Sequence, residues 1–142
     1  MPRISKGGKH IFGWTAVSES GSVRIPDEAI REYRLRSEEK VILISGSKTS
    51  GGFCVSRKGL LKRSVMGAFF SSYPEWERGT LPEGRCGQYK GRRFGWAIMR
   101  PDGTIQIPES ALKSLRVHKG DSLLVVRGSR MGCALAVRGR IV

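Results

Sequence analysis

Short apolar bursts separated by turn residues run along the chain. Near its start, residues 14–17 form such a burst and stop at Ser20-Gly21. Val23-Arg24-Ile25 then alternates apolar, polar, apolar, the period-two pattern of a strand with one buried face. Pro26 cannot continue a central strand but suits the first turn of a helix, and Asp27-Glu28 behind it favour the positive end of the helix dipole. Ala29, Ile30 and Tyr33 give a two-turn helix one apolar stripe. An acidic turn, Glu38-Glu39, leads into the apolar run 41–44, and a Gly/Ser/Lys loop leads into 53–55. The predicted order is strand, strand, short helix, strand, strand.

The same pattern returns 82 residues later. Phe12-Gly13-Trp14 recurs as Phe94-Gly95-Trp96, Gly21 as Gly103 and Ile25-Pro26 as Ile107-Pro108. Ala29, Arg34, Gly46-Ser47 and Val55 recur as Ala111, Arg116, Gly128-Ser129 and Val137. The exchanges between them are conservative, such as Val23 for Ile105, Ile30 for Leu112 and Val41 for Leu123, and no gap is needed. The chain therefore holds two copies of one unit, residues 12–57 and 94–139, joined by an unrelated segment, 58–93. One unit of four short strands and a two-turn helix leaves sheet edges open. Two copies pairing with each other close those edges. The expected fold is mainly β with short helices, one barrel formed as an intramolecular pseudo-dimer of two β-β-α-β-β units.

The joining segment carries Leu60, Leu61, Val65, Phe69 and Phe70 near helical spacing, which predicts a three-turn helix ended by Tyr73-Pro74-Glu75-Trp76. Gly79, Pro82, Gly84 and Gly87 then mark a loop. Two roles stand open for it. It is a crossover whose Phe69, Phe70 and Trp76 cover the barrel, or a surface for self-association or a protein partner.

Composition narrows the chemistry. The 142 residues carry 26 Lys+Arg and 12 Asp+Glu, a net charge of +14. That excess calls for an anionic partner, nucleic acid first. It divides as +4, +5 and +5 over residues 1–57, 58–93 and 94–142, so it belongs to the folded units and not to a tail. No apolar run approaches the ~20 residues that span a bilayer, and the first 14 residues have no secretory core, so no membrane partner is expected. Cys54, Cys86 and Cys133 are widely spaced, which predicts free thiols in a reducing cytoplasm. His10 and His118 fall in predicted loops without convergent partners, so no catalytic residue, metal site or cofactor is expected and the chain is read as not an enzyme. The stretch 46–51 lacks the Lys-Ser/Thr that completes a phosphate loop and reads as a hairpin loop.

Residues 20–44 and 102–126 resemble the AbrB/SpoVT/MazE swapped-hairpin family. The likeness rests on a turn glycine, Ile-Pro, a short helix, an acidic turn and an apolar strand. The second copy is the closer, with Asp102-Gly103, Ile107-Pro108 and Gly120-Asp121. Two copies in one chain resemble the MraZ arrangement. The resemblance implies interleaved hairpins in a small β-barrel that binds duplex DNA, as a cytoplasmic, nucleoid-associated regulator of a prokaryote. Ser22 and Thr104 stand where the family commonly places Arg after the turn glycine, while Arg31 and Lys113 match basic residues of its helix. The candidate DNA contacts are Arg31, Arg34, Lys113 and Arg116 on the two helices, flanked by Arg24 and Arg100. An antitoxin or scaffold with a protein partner is the second reading. It ranks lower because Arg138-Gly139-Arg140-Ile141-Val142 is not an acidic or apolar tail.

Overall fold

A computed structural model describes residues 3–4, 10–38, 40–45, 52–64, 67–78, 87–89, 91–128 and 132–137. The loops 46–51 and 129–131, Cys86 and the chain end 138–142, all interpreted above from sequence, lie outside the described residues. The elements in chain order begin with β1 (Arg3–Ile4), β2 (His10–Ala16), β3 (Ser22–Arg24), α1 (Asp27–Tyr33), β4 (Lys40–Ser45) and β5 (Phe53–Ser56). They continue with α2 (Lys58–Lys62), α3 (Phe69–Ser72), α4 (Pro74–Arg78) and β6 (Gly87–Tyr89). The chain ends on β7 (Arg92–Met99), β8 (Thr104–Gln106), α5 (Glu109–Leu115), β9 (Ser122–Arg127) and β10 (Cys133–Val137). A single 3-10 turn, Leu35–Ser37, follows α1.

All ten strands join one antiparallel sheet in the order β1-β2-β9-β10-β5-β4-β7-β8-β3, with β6 beside β7. The turn through Ser18 and Gly21 brings β3 back beside β2, so the sheet nearly closes into a barrel. The 82-residue offset governs the pairing. In β2 against β9, Trp14 faces Leu124; in β4 against β7, Ile42 faces Trp96, which is the same pair with its halves exchanged. Two pairs map onto themselves under the offset: Val23 with Ile105 in β3–β8, and Phe53 with Leu135 in β5–β10. All four side chains are buried, and they stand at opposite ends of the inner core. One departure breaks the register: β2 bulges between Ile11 and Gly13, whereas β7 runs evenly through Phe94-Gly95.

The helices follow the predicted stripes. Ala29, Ile30 and Tyr33 of α1, and Ala111, Leu112 and Leu115 of α5, are buried against the inner core. Pro26 and Pro108 stand one position before each helix, where the carbonyl still accepts the first helical bond from Ile30 and Leu112. Both helices end on an arginine in the left-handed region, Arg34 at φ 51° and Arg116 at φ 59°. In α5 this end is stapled by the Val117 amide donating to the Leu112 carbonyl, the long bond of a Schellman cap.

The joining segment is not one helix. Three short helices replace the expected three turns, because Gly67 sits where a Cβ would meet the Lys62 carbonyl and Pro74 opens α4 where a stop is predicted. The expected loop also contains β6. Phe69, Phe70 and Trp76 are buried on the outer faces of β4 and β7, beside Ile42, Ile44, Phe94 and Trp96. Phe69 stacks on Phe94 at 4.1 Å between ring centres. The crossover role therefore accounts for these three aromatics. The carboxylate of Glu38 ties the segment down by accepting from the backbone amides of Lys58 and Gly59 and from Arg57 Nη1.

Candidate nucleic-acid interface

Two strands of three residues make the ribbon β3–β8. Val23 and Ile105 point into the core, so Ser22, Arg24, Thr104 and Gln106 form its outer face. The register sets Arg24 opposite Thr104 and Ser22 opposite Gln106. Each strand is preceded by a tight turn with a positive-φ glycine, Gly21 at 83° and Gly103 at 89°. A Cβ on Gly21 would come within 3.0 Å of the Ile107 carbonyl oxygen, so this close approach of turn to strand requires glycine.

Arg24 Nη1 donates to the Asp102 carbonyl at 3.0 Å, and Arg36 Nη2 donates to the Pro101 carbonyl at 3.1 Å. Arg100 Nη2 donates to Gln106 Oε1 at 2.6 Å. Arg24 and Arg36 thus converge on the turn Pro101-Asp102-Gly103, and Arg100, which precedes it, reaches Gln106 on the ribbon. The Asp102 carboxylate accepts from the Thr104 hydroxyl and amide. Those bonds hold its carboxyl below the usual range, with the charges of Arg24 and Arg100 adding to the effect. Each guanidinium has five N–H donors. With one engaged on a carbonyl or amide oxygen, the others remain to meet an anion at the surface.

Of the residues expected from sequence, the structure brings Arg24 and Arg100 together about Asp102. Arg31 and Arg34 lie on or just after α1, and Lys113 and Arg116 on or just after α5, all four exposed. Among the described residues their side chains form no hydrogen bond or ion pair, with the Arg24–Arg100 cluster or elsewhere. Two of the three acidic residues of α1 are engaged elsewhere. Glu32 takes a bidentate pair from Arg127 at 2.6 and 2.7 Å, and Glu28 accepts from His10 Nε2 at 2.8 Å. The α1 surface is left with Arg31, Arg34 and the exposed Asp27 four residues before Arg31.

Sequence reasoning missed Arg36. Its only signal was its place two residues past the left-handed Arg34, and the turn that aims it at Pro101 is set by packing between the two halves. His10 is also corrected: it is the first residue of β2, largely buried and bonded to Glu28, and not a solvated loop histidine. The predicted acidic turn at Asp121 is a backbone cap, its Oδ2 accepting from the His118 amide at 2.8 Å.

Among the described residues, no group of His, Cys, Asp and Glu could hold a metal ion, and no helix is long and apolar enough to cross a membrane. Compared against protein families and against curated proteins, the chain matches neither a family nor a curated relative.

Proposed function

We propose that the chain is a DNA-binding transcriptional regulator of the AbrB/SpoVT/MazE kind, its two units interleaved as a swapped-hairpin pseudo-dimer in the MraZ-like manner. The observation that carries the reading is the gathering of Arg24, Arg36 and Arg100 about the Pro101-Asp102-Gly103 turn and the adjoining outer face of the β3–β8 ribbon. That ribbon is one of the places where the two halves pair, in a chain of net charge +14. A two-stranded ribbon fits the major groove of B-form DNA, and the approximate two-fold of the pairing suits the two-fold of a duplex. Arg31, Arg34, Lys113 and Arg116 supply further cations for phosphates on either side.

The test is a titration of a fluorescent duplex from 50 to 200 mM salt. With about 4–8 phosphate contacts, log K falls against log salt with a slope of about −4 to −7. Binding that does not respond to salt, or no binding at 50 mM, overturns the reading.

A further inference from the structure

The two turns that flank the ribbon occupy equivalent positions but have unlike chemistry. Under the 82-residue offset Arg24 corresponds to Gln106, Arg36 to His118, Arg100 to Ser18 and Asp102 to Ser20. The backbone contacts are conserved between the halves even though the side chains are not. Arg24 donates to the carbonyl of Asp102, and Gln106 Nε2 donates to the carbonyl of Ser20 at 2.6 Å, the same bond made in each half. Beyond that bond they part. The first lobe carries Arg24 and Arg36 against Asp102, a net of +1, while Arg100, which precedes its turn, reaches across to bond Gln106. The second carries Gln106, His118, Glu19 and a cluster in which the Ser18 hydroxyl bonds those of Ser20 and Ser22 at 3.0 and 2.7 Å, a net of −1 with the histidine counted as neutral. A homodimer with two-fold symmetry cannot differ in this way. A single chain with two copies can.

We propose that the chain reads a non-palindromic duplex. Resting on the DNA-binding reading above, the two half-sites differ in sequence: Arg24 and Arg36, at the Pro101-Asp102-Gly103 turn, face one half, and Gln106 with the serine cluster faces the other, Arg100 bridging the two through its bond to Gln106 Oε1. The geometry of base edges sets the difference. An arginine fork matches the two acceptors of guanine, and a glutamine amide matches the acceptor–donor pair of adenine. The anionic backbone is also held unequally, since the Arg24–Arg36 lobe is net positive and the other is not.

Selection of bound sequences from a random duplex pool tests this, using the full chain and two variants, Gln106→Arg and Arg24→Gln. Both positions are on the outer face of the ribbon, and thermal unfolding of each variant checks that the fold is kept. The native chain is expected to enrich sites without inverted-repeat symmetry. Gln106→Arg is expected to shift enrichment toward inverted repeats, with about a tenfold gain on a duplex that doubles the arginine half-site, the size of one good bidentate contact. Arg24→Gln is expected to lose about tenfold and to relax preference in one half only. Enrichment of inverted repeats by the native chain overturns the inference and leaves DNA binding standing. So does a pair of variants that alter the same base positions. Retention of no duplex at low salt overturns both.

Discussion

Replacing Arg34 and Arg116 together by glycine separates what these residues do for the fold from what they do at the surface. Both hold left-handed φ, 51° and 59°, at the ends of α1 and α5. A residue with a Cβ carries about 1–2 kcal/mol of strain in that region, and glycine none. Glycine in turn gives back about 0.5–1 kcal/mol through the greater freedom of its unfolded state. The net gain is about 0.5–1 kcal/mol per site. Unfolding entropy of about 2.1 cal/mol/K per residue then puts Tm up by about 3–7 °C for the pair. Losing two phosphate contacts makes the salt slope shallower by about 1.8. The assay is a thermal melt followed by duplex titration over a salt series, with Arg34→Lys/Arg116→Lys as the control that keeps charge. A variant more stable yet weaker in binding is the expected result. An unchanged or lower Tm refutes the backbone argument, and an unchanged slope removes these arginines from the phosphate contacts.

Three other outcomes follow from the packing. Phe69→Ala removes a fully buried ring stacked on Phe94 and set edge-on to Phe70 and Trp76, and a urea melt should show a loss of about 3–5 kcal/mol. Glu32 is held below the usual carboxylate range, first by its hydrogen bond from Arg127 and then by that charge. Its contribution is therefore present above about pH 4.5 and is lost as pH falls through the lowered value. Glu32→Gln should flatten that part of a stability-against-pH curve, and a curve that coincides with the native one excludes the pair. Burial pushes the Cys54 thiol up to about 12 and the Cys133 thiol higher still. With Cys86→Ser in place, a thiol reagent at pH 8 should react only after denaturant is added, and prompt reaction in the native state contradicts the burial.

Much of each unit was legible because its signals are local. Val23-Arg24-Ile25 alternates, Ala29, Ile30 and Tyr33 form a stripe, and all are placed as that pattern demands. The apolar members sit in one core that both units share. What failed was set by contacts distant in sequence. Nothing near His10 indicates that Glu28 will receive it, and nothing near Arg36 indicates Pro101. In the joining segment the apolar spacing was genuine, but the outer faces of β4 and β7 dictate where Phe69, Phe70 and Trp76 settle. Three short helices reach that surface where one straight helix would not. The extra residue in β2 was equally hidden, since Phe12-Gly13 and Phe94-Gly95 are identical in sequence and only one pair bulges.

That bulge and the joining segment bear on the same question, which is how far two copies in one chain can diverge. The segment can cover only one of the two equivalent outer faces. It covers that of β4 and β7, where Trp96 is 7% exposed, while the matching Trp14 on β2 is 56% exposed. Once one chain supplies both halves, a substitution in one half is no longer copied into the other, so each position answers to its own surroundings. The shared interior holds the copies to one register, as the self-matched pairs Val23–Ile105 and Phe53–Leu135 require. The outer surface has no such constraint. Divergence should therefore be greatest where side chains leave the barrel and contact neither half's core, and Arg24 against Gln106, the last residues of the two ribbon strands, is such a place.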